Sequence, residues 1–159
     1  MCYPISSFGA HVAARPRTSL KTRGNVAMCG TFGYELDPRK LTDDEKAEVK
    51  QQIADYRKYH CLVREGDFYR LVSPTENDFY CAWEFVSPDK QEAMMTAVVM
   101  RQPETRYCVQ RLRGLDPKTY YQDEETGTVY SGAMLMNAGL NLTRDVYEDG
   151  TSVTKHLKL

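Results

Sequence analysis

Along the chain the spacing of apolar residues changes near Gly66. Upstream, Val49, Ile53, Tyr56, His60 and Val63 recur at steps of four, three, four and three, which is the period of one face of an α-helix. Thr42 and Glu45 have capping-box spacing, and Asp43 and Asp44 stand where the positive end of a helix dipole favours acid. The pattern predicts a helix over 43–65 with that stripe buried and Gly66 as its stop. Downstream the period falls to two. Phe79, Cys81, Trp83 and Phe85 alternate with Tyr80, Ala82, Glu84 and Val86, which predicts a strand whose first set faces a sheet core.

Further strands are predicted over 68–72, 93–100, 107–113, 119–123, 128–130 and 153–159. Ser87-Pro88-Asp89, Gln102-Pro103, Asp116-Pro117, Thr126-Gly127 and Asp149-Gly150 punctuate them. The 93–100 run is apolar on both faces and belongs in the middle of a sheet. A helical turn over 133–138, closed by Gly139, interrupts the series. Before the long helix, a strand-like run from Cys2 leads to Gly9, Ala10, His11 and Val12, and Pro16 ends it. Val26, Ala27, Met28 and Cys29 then suggest a short helix within 20–32, closed near Gly30 and Gly33. The chain therefore reads as an α+β protein in two pieces, a mainly helical 1–65 and an antiparallel sheet or sandwich over 66–159.

Composition narrows the classes. At 159 residues and 18.2 kDa the chain is too short to hold a complete (β/α)8 barrel, which takes about 200–250 residues. No stretch approaches the ~18 consecutive apolar residues of a membrane-spanning helix. The five cysteines are odd in number and contain no Cys-x-x-Cys pair, so they read as reduced thiols in a cytoplasmic protein. Residues 1–34 carry Arg15, Arg17, Lys21 and Arg23 and no acid, leaving the remainder with a net charge of −5. Such a segment fits a transit peptide, a phosphate-binding patch or the rim of something larger. It lacks the interleaved aromatics of a nucleic-acid surface.

The residues supply little chemistry by themselves. Gly30-Thr31-Phe32-Gly33 lacks the lysine and context of a phosphate loop, and no cofactor motif is present. Cys2, Cys29 and Cys61 coexist with His11, His60 and His156, but no spacing recommends a metal site or a Cys/His nucleophile. Asp43-Asp44-Glu45 reads as a helix start and Asp123-Glu124-Glu125 as a hairpin tip, so no catalytic carboxylate pair is found. Trp83 lies on an apolar strand face and reads as core. Tyr120 and Tyr121 point to opposite faces, leaving at most one exposed as a stacking platform for a sugar.

Ordered blocks along the whole chain resemble one family. Tyr3-Pro4-Ile5-Ser6, Gly9-Ala10-His11-Val12, Leu20-Lys21-Thr22-Arg23-Gly24, Gly30-Thr31-Phe32-Gly33-Tyr34-Glu35-Leu36-Asp37 and Gly66-Asp67-Phe68-Tyr69-Arg70-Leu71-Val72-Ser73-Pro74 are similar to the C-terminal part of glycoside hydrolase family 36 α-galactosidases. Gly114-Leu115-Asp116-Pro117, Tyr120-Tyr121, Tyr130-Ser131-Gly132 and Leu135-Met136-Asn137-Ala138-Gly139-Leu140 continue the series. The resemblance implies the last strand and helices of a (β/α)8 barrel over 1–65, followed by a C-terminal antiparallel β-sandwich-like domain over 66–159. It implies a retaining hydrolase of melibiose- and raffinose-type sugars, homo-oligomeric at full length, with no cofactor or metal. Both catalytic aspartates lie upstream of the Tyr-Pro-Ile segment in the family, so this chain is expected to be inactive alone. Gly9 and His11 are the expected substrate-rim residues. One departure follows them: relatives carry a longer loop with Asn-His-Gln after the proline, where Pro16 here runs into Arg17-Thr18-Ser19. The alternative expectation is a non-catalytic β-domain that binds galactosides or serves structure and oligomerisation.

Overall fold

A computed structural model of the chain describes residues 7–14, 17–102, 108–145 and 148–159. The beginning of the strand-like run from Cys2, the break at Pro16, the Pro103 turn and the start of the 107–113 strand fall outside the described residues. The first part opens with strand β1 (Gly9–Ala13), helix α1 (Leu20–Ala27) and strand β2 (Thr31–Glu35). A 3-10 turn over Pro38–Lys40 then leads to helix α2 (Asp43–Glu65). β1 and β2 pair in parallel, with His11 opposite Gly33 and Val12 opposite Tyr34. The mainly helical reading of this part is thus corrected. The helix sought within 20–32 stops at Ala27, and the two glycines taken as its stop flank and enter a strand instead.

The reason lies in alternation over five residues. Phe32 and Tyr34 pack with Val12 against Leu20, Ala27 and Val49, while Thr31, Gly33 and Glu35 turn away. Gly30 is required by a close approach, since a Cβ there would sit 2.8 Å from the Phe8 carbonyl oxygen. Ser19 caps α1 by accepting the Thr22 N–H.

The capping box of α2 is present in both directions: Thr42 Oγ1 accepts the Glu45 N–H at 3.2 Å, and the Thr42 N–H donates to Glu45 Oε2 at 2.8 Å. The stripe expected to be buried is only partly so. Val63 is buried, whereas Val49, Ile53, Tyr56 and His60 are half-buried. The deep position in the first half of α2 is polar. Gln52 lies beneath α1, where a Cβ on Gly24 would fall 2.4 Å from its Cδ. Its amide is fully engaged, accepting from Tyr34 Oη at 2.9 Å and donating to the Leu20 carbonyl at 3.1 Å and Glu48 Oε1 at 2.9 Å.

Gly66 alone separates α2 from the next strand, and a Cβ on it would meet the Leu62 and Val86 carbonyls at 2.4 and 2.9 Å. The remaining elements are β3 (Asp67–Val72), β4 (Tyr80–Val86), β5 (Glu92–Val99), β6 (Val109–Gln110), β7 (Tyr120–Asp123), β8 (Val129–Ser131), α3 (Gly132–Asn137), β9 (Leu140–Asn141) and β10 (Ser152–Lys158). Six strands form an antiparallel sheet in the order β3-β4-β5-β10-β7-β8. β5 is central, as its two apolar faces require, and the last strand of the chain enters between β5 and β7. The strand expected over 107–113 shrinks to β6, which pairs with β9, a strand that was not anticipated.

Both faces of the sheet are covered. Ala82, Val86, Ala93, Met95 and Ala97 pack against Leu112, Leu115, Leu135 and Leu142. On the opposite face Phe85 and Met94 meet Leu62 and Val63 from the last turns of α2. Each such fully buried aliphatic is worth about 1.5–3 kcal/mol relative to exposure, so the end of α2 is held firmly to the sheet. The set Phe79, Cys81, Trp83 and Phe85, expected to be the core face, is the thinner side: Trp83 and Cys81 are half-buried and Phe79 is exposed. Its partner set carries the larger core and draws Glu84 fully inside. The architecture is mixed α/β with a large antiparallel sheet.

Candidate functional site

The face of β1 and β2 turned away from the helices holds the residues singled out in the first strand. His11 Nδ1 donates to Glu35 Oε1 at 2.8 Å. The ring lies over glycine: a Cβ on Gly33 would come 2.9 Å from His11 Cδ2, and one on Gly9 would come 3.5 Å from Nε2. Two positions without side chains thus make room for the imidazole, and the carboxylate selects the tautomer with its proton on Nδ1. Glu35 is opposite Ala13 at the C-terminal end of β2. The side chains of His11 and Glu35 are 44% and 66% exposed. Gly9 and His11 are therefore brought together, with Glu35 as a third member that the sequence reading passed over.

A second polar cluster joins α2 to the sheet. Lys58 and Tyr59 of α2 both donate to Glu124 Oε2, Tyr59 at 3.3 Å. His156 on β10 is buried beside them. Its Nε2 is 2.5 Å from Glu92 Oε1, and its Nδ1 is 2.8 Å from Glu124 Oε2, a charge contact that lies off the hydrogen-bonding direction. The Tyr59 ring covers the imidazole at 4.5 Å between centroids. Partial burial resists ionisation of Glu124, but the Lys58 hydrogen bond and the His156 contact prevail and hold its carboxyl at about 2. The same hydrogen bond from the carboxylate side pushes Lys58 above its ordinary value. The acidic run 123–125 is thus more than a turn: Lys155 reaches Glu125 at 2.7 Å and Asp123 at 3.5 Å.

Next to this cluster a cleft of about 690 Å³ opens between α1 and β10. Asn25 Nδ2 donates to Ser152 Oγ at 2.9 Å, and Ser152 Oγ donates to Thr22 Oγ1 at 3.0 Å, bridging helix and sheet along its wall.

Glu84 stands apart from both clusters. It is fully buried on β4, its Oε1 accepts the Arg113 N–H at 2.5 Å, and its Oε2 has no hydrogen-bond partner. Burial pushes its carboxyl up to about 8, against the opposing pull of the Arg113 N–H and guanidinium. A lone acid among Tyr80, Ala82 and Val86 was the available signal. Cys29, Cys61, Cys81 and Cys108 are free thiols, and burial pushes Cys29 up to about 11. Cys61 Sγ is 3.5 Å from His60 Nε2 on the outer side of α2, a contact between neighbours along the helix. Among the described residues, no group of three or more His, Cys, Asp or Glu is placed to hold a metal, and no helix is long and apolar enough to cross a membrane. Tyr121 is buried, with its hydroxyl donating to the Lys90 carbonyl at 2.7 Å, whereas Tyr120 is 68% exposed.

Residues 80–157 match the family model described as the glycosyl hydrolase family 36 C-terminal domain, and residues 1–66 match the model described as melibiase. Among curated proteins, the chain is 48% identical over 149 residues to the α-galactosidase AgaA of Geobacillus stearothermophilus, covering 89% of this chain and 20% of AgaA. It is 44% identical over 147 residues to the bifunctional α-galactosidase/sucrose kinase AgaSK of Mediterraneibacter gnavus, covering 88% of this chain and 16% of that protein. Among solved structures, the galactosidase domain of AgaSK superposes with a TM-score of 0.91 at 40% identity over 98% of this chain and 22% of that one. A variant of AgaA in complex with 1-deoxygalactonojirimycin superposes with a TM-score of 0.90 at 44% identity, again over 98% and 22%. The chain spans about a fifth of the length of the relatives it matches.

Proposed function

This chain belongs to glycosyl hydrolase family 36, and from that premise we propose that it forms the C-terminal part of a retaining α-galactosidase acting on melibiose- and raffinose-type sugars. The observation that carries the reading is the parallel β1-α1-β2 unit followed by α2. Two consecutive strand–helix units are the repeat from which a (β/α)8 barrel is built. On this reading 1–65 closes the catalytic barrel and 66–159 is the β-domain beyond it. Both curated relatives described above are named as α-galactosidases, which supports the activity.

Retention requires a nucleophilic carboxylate and an acid/base carboxylate about 5 Å apart. The β1–β2 face carries one carboxylate, Glu35, and in the cluster that lines the cleft Glu124 is engaged by Lys58 and His156 and Glu92 by His156, so neither offers a free pair. The resemblance implies that both catalytic aspartates lie upstream of the Tyr-Pro-Ile segment, and on this reading the catalytic pair is assigned there, with Gly9 and His11 at the rim. The isolated chain is expected to release no nitrophenol from nitrophenyl-α-galactoside. The same chain exchanged for the matching segment of AgaA is expected to give an active enzyme. Turnover by the pure isolated chain, or a folded but inactive exchange, overturns the reading.

A second reading draws on exposed Tyr120, which shares its face with exposed Val129 across the β7–β8 pair. A β-domain using that face would bind galactose without hydrolysing it. Calorimetric titration with millimolar galactose tests it, and the absence of heat that depends on Tyr120 removes it.

A further inference from the structure

We propose that a cleft between β3 and the extended segment 109–113 binds the phosphate ester of a sugar or similar polyol. Arg111 and Arg113 hold the phosphate, and Gln110 accepts a hydroxyl. The inference is independent of the α-galactosidase reading, because every residue that lines this cleft lies beyond Gly66.

The cleft holds about 380 Å³, within the range of about 300–1,000 Å³ for small-molecule sites. Leu71 and Met136 give it apolar walls, and Gln110, Arg111 and Arg113 give it polar ones. The polar wall is rigid. β6 pairs with β9, the Leu112 N–H donates to the Leu135 carbonyl at 3.0 Å, and the Arg113 N–H donates to Glu84 Oε1 at 2.5 Å. Gly139, at φ +90°, lets the end of α3 close on this backbone, since a Cβ there would lie 2.6 Å from the Gln110 carbonyl oxygen. Side chains along an extended run alternate. Gln110 and Leu112 are accordingly buried, and Arg111 and Arg113 are exposed.

Two features of this wall call for a ligand. Gln110 Nε2 donates to the Arg111 carbonyl at 2.7 Å. Only the NH2 of an amide can face a carbonyl oxygen, so the other end of the side chain is an acceptor. That Oε1 is buried and has no hydrogen-bond partner. An unsatisfied buried acceptor is costly, and a ligand hydroxyl supplies the missing donor. The second feature is charge. Among the described residues neither guanidinium has a hydrogen bond or an ion pair, and none of the residues lining the cleft is acidic. Glu84, which accepts the Arg113 N–H, keeps its proton at neutral pH because burial pushes its carboxyl up to about 8. Two positive charges thus stand uncompensated. They match the dianion of a phosphate monoester, whose oxygens a guanidinium fork meets in pairs. A neutral sugar answers Gln110 alone and inorganic phosphate answers the arginines alone, whereas a phosphorylated polyol answers both.

Calorimetric titration of the whole chain at pH 7.5 tests the site with galactose 6-phosphate, galactose, inorganic phosphate and galactonate. Galactose 6-phosphate is expected to bind about tenfold more tightly than each of the others, because it alone offers both a dianion and hydroxyls. Arg111→Gln and Arg113→Gln should each weaken it about 10- to 100-fold, the worth of hydrogen bonds to a charged group. Gln110→Met removes the acceptor at similar volume. It should weaken galactose 6-phosphate about tenfold and leave inorganic phosphate unchanged, a split that a merely structural loss does not produce. Circular dichroism checks the fold of each variant, and Arg111→Gln, at an exposed and unpaired position, decides the matter even where Gln110→Met unfolds. Absence of binding, binding no tighter than that of galactose or inorganic phosphate, or affinity unchanged by replacing both arginines overturns the inference. Equal binding of galactonate, with its single charge, overturns phosphate as the group held.

Discussion

Replacing Glu84 with Gln removes a buried proton-binding site while keeping shape and the acceptor for the Arg113 N–H. The group titrates near 4.5 when solvated and at about 8 in the fold, where burial raises it. Below pH 4.5 the carboxyl is protonated in folded and unfolded chains alike, so it contributes no pH dependence. Between the two values the unfolded chain loses the proton and the folded chain keeps it. Stability therefore falls as pH rises through this window and levels off above about 8. At 1.36 kcal/mol for each unit, the loss is about 3 kcal/mol by pH 7 and about 5 kcal/mol at most. Glu84→Gln does not titrate and escapes it. Urea unfolding followed by the fluorescence of Trp83, the single tryptophan, at pH 5 and pH 8 measures the effect. The difference between parent and variant should widen by several kcal/mol between the two pH values in favour of Gln. All other groups are common to both chains and cancel. A difference that changes by less than about 0.5 kcal/mol, within the scatter of a neutral substitution, would refute the claim that a protonated Glu84 is built into the core.

Gly24→Ala should destabilise the chain by about 1–3 kcal/mol, the range for overpacking, although alanine is the better helix former. Pairing it with Gln52→Ala should recover part of the loss in thermal melts, because the clash at 2.4 Å is with that side chain. Glu124→Gln should weaken the seat of α2 by about 1 kcal/mol, because exposed ion pairs are screened. A double-mutant cycle with Lys58→Met reads the coupling. With its carboxyl held at about 2, the parent chain should keep this contribution above pH 4.5 and lose it as pH falls toward 2, whereas Glu124→Gln shows no such loss.

How much of this was legible depended on whether a feature was local. The α2 boundaries followed from Thr42, Glu45 and Gly66, because caps and stops are written within one turn. The central place of β5 followed from its two apolar faces. β2 was missed because Gly30 and Gly33 are ambiguous in sequence: the same residue type ends helices and permits close backbone approach, and Phe8 and His11, which need that approach, lie more than twenty residues away. The burial of Gln52 required knowing that α1 crosses α2 at Gly24. His156 between Glu92 and Glu124 unites three segments that no period or spacing connects. Gly9 and His11 were named from resemblance, whereas the contact of His11 with Glu35 became visible only once β2 was paired with β1 in parallel.

The junction at Gly66 bears on how members of this family can be taken apart and recombined. One residue of chain lies between the last turn of α2 and the start of β3, and the side chains of that turn, Leu62 and Val63, are packed into the sheet beyond it. A cut at Gly66 would bare Phe85 and Met94 on one fragment and orphan an apolar helix end on the other. Swapping the sheet between relatives should succeed more often when α2 travels with it, with the crossover placed in the turn around Pro38–Lys40, where none of the residues is buried.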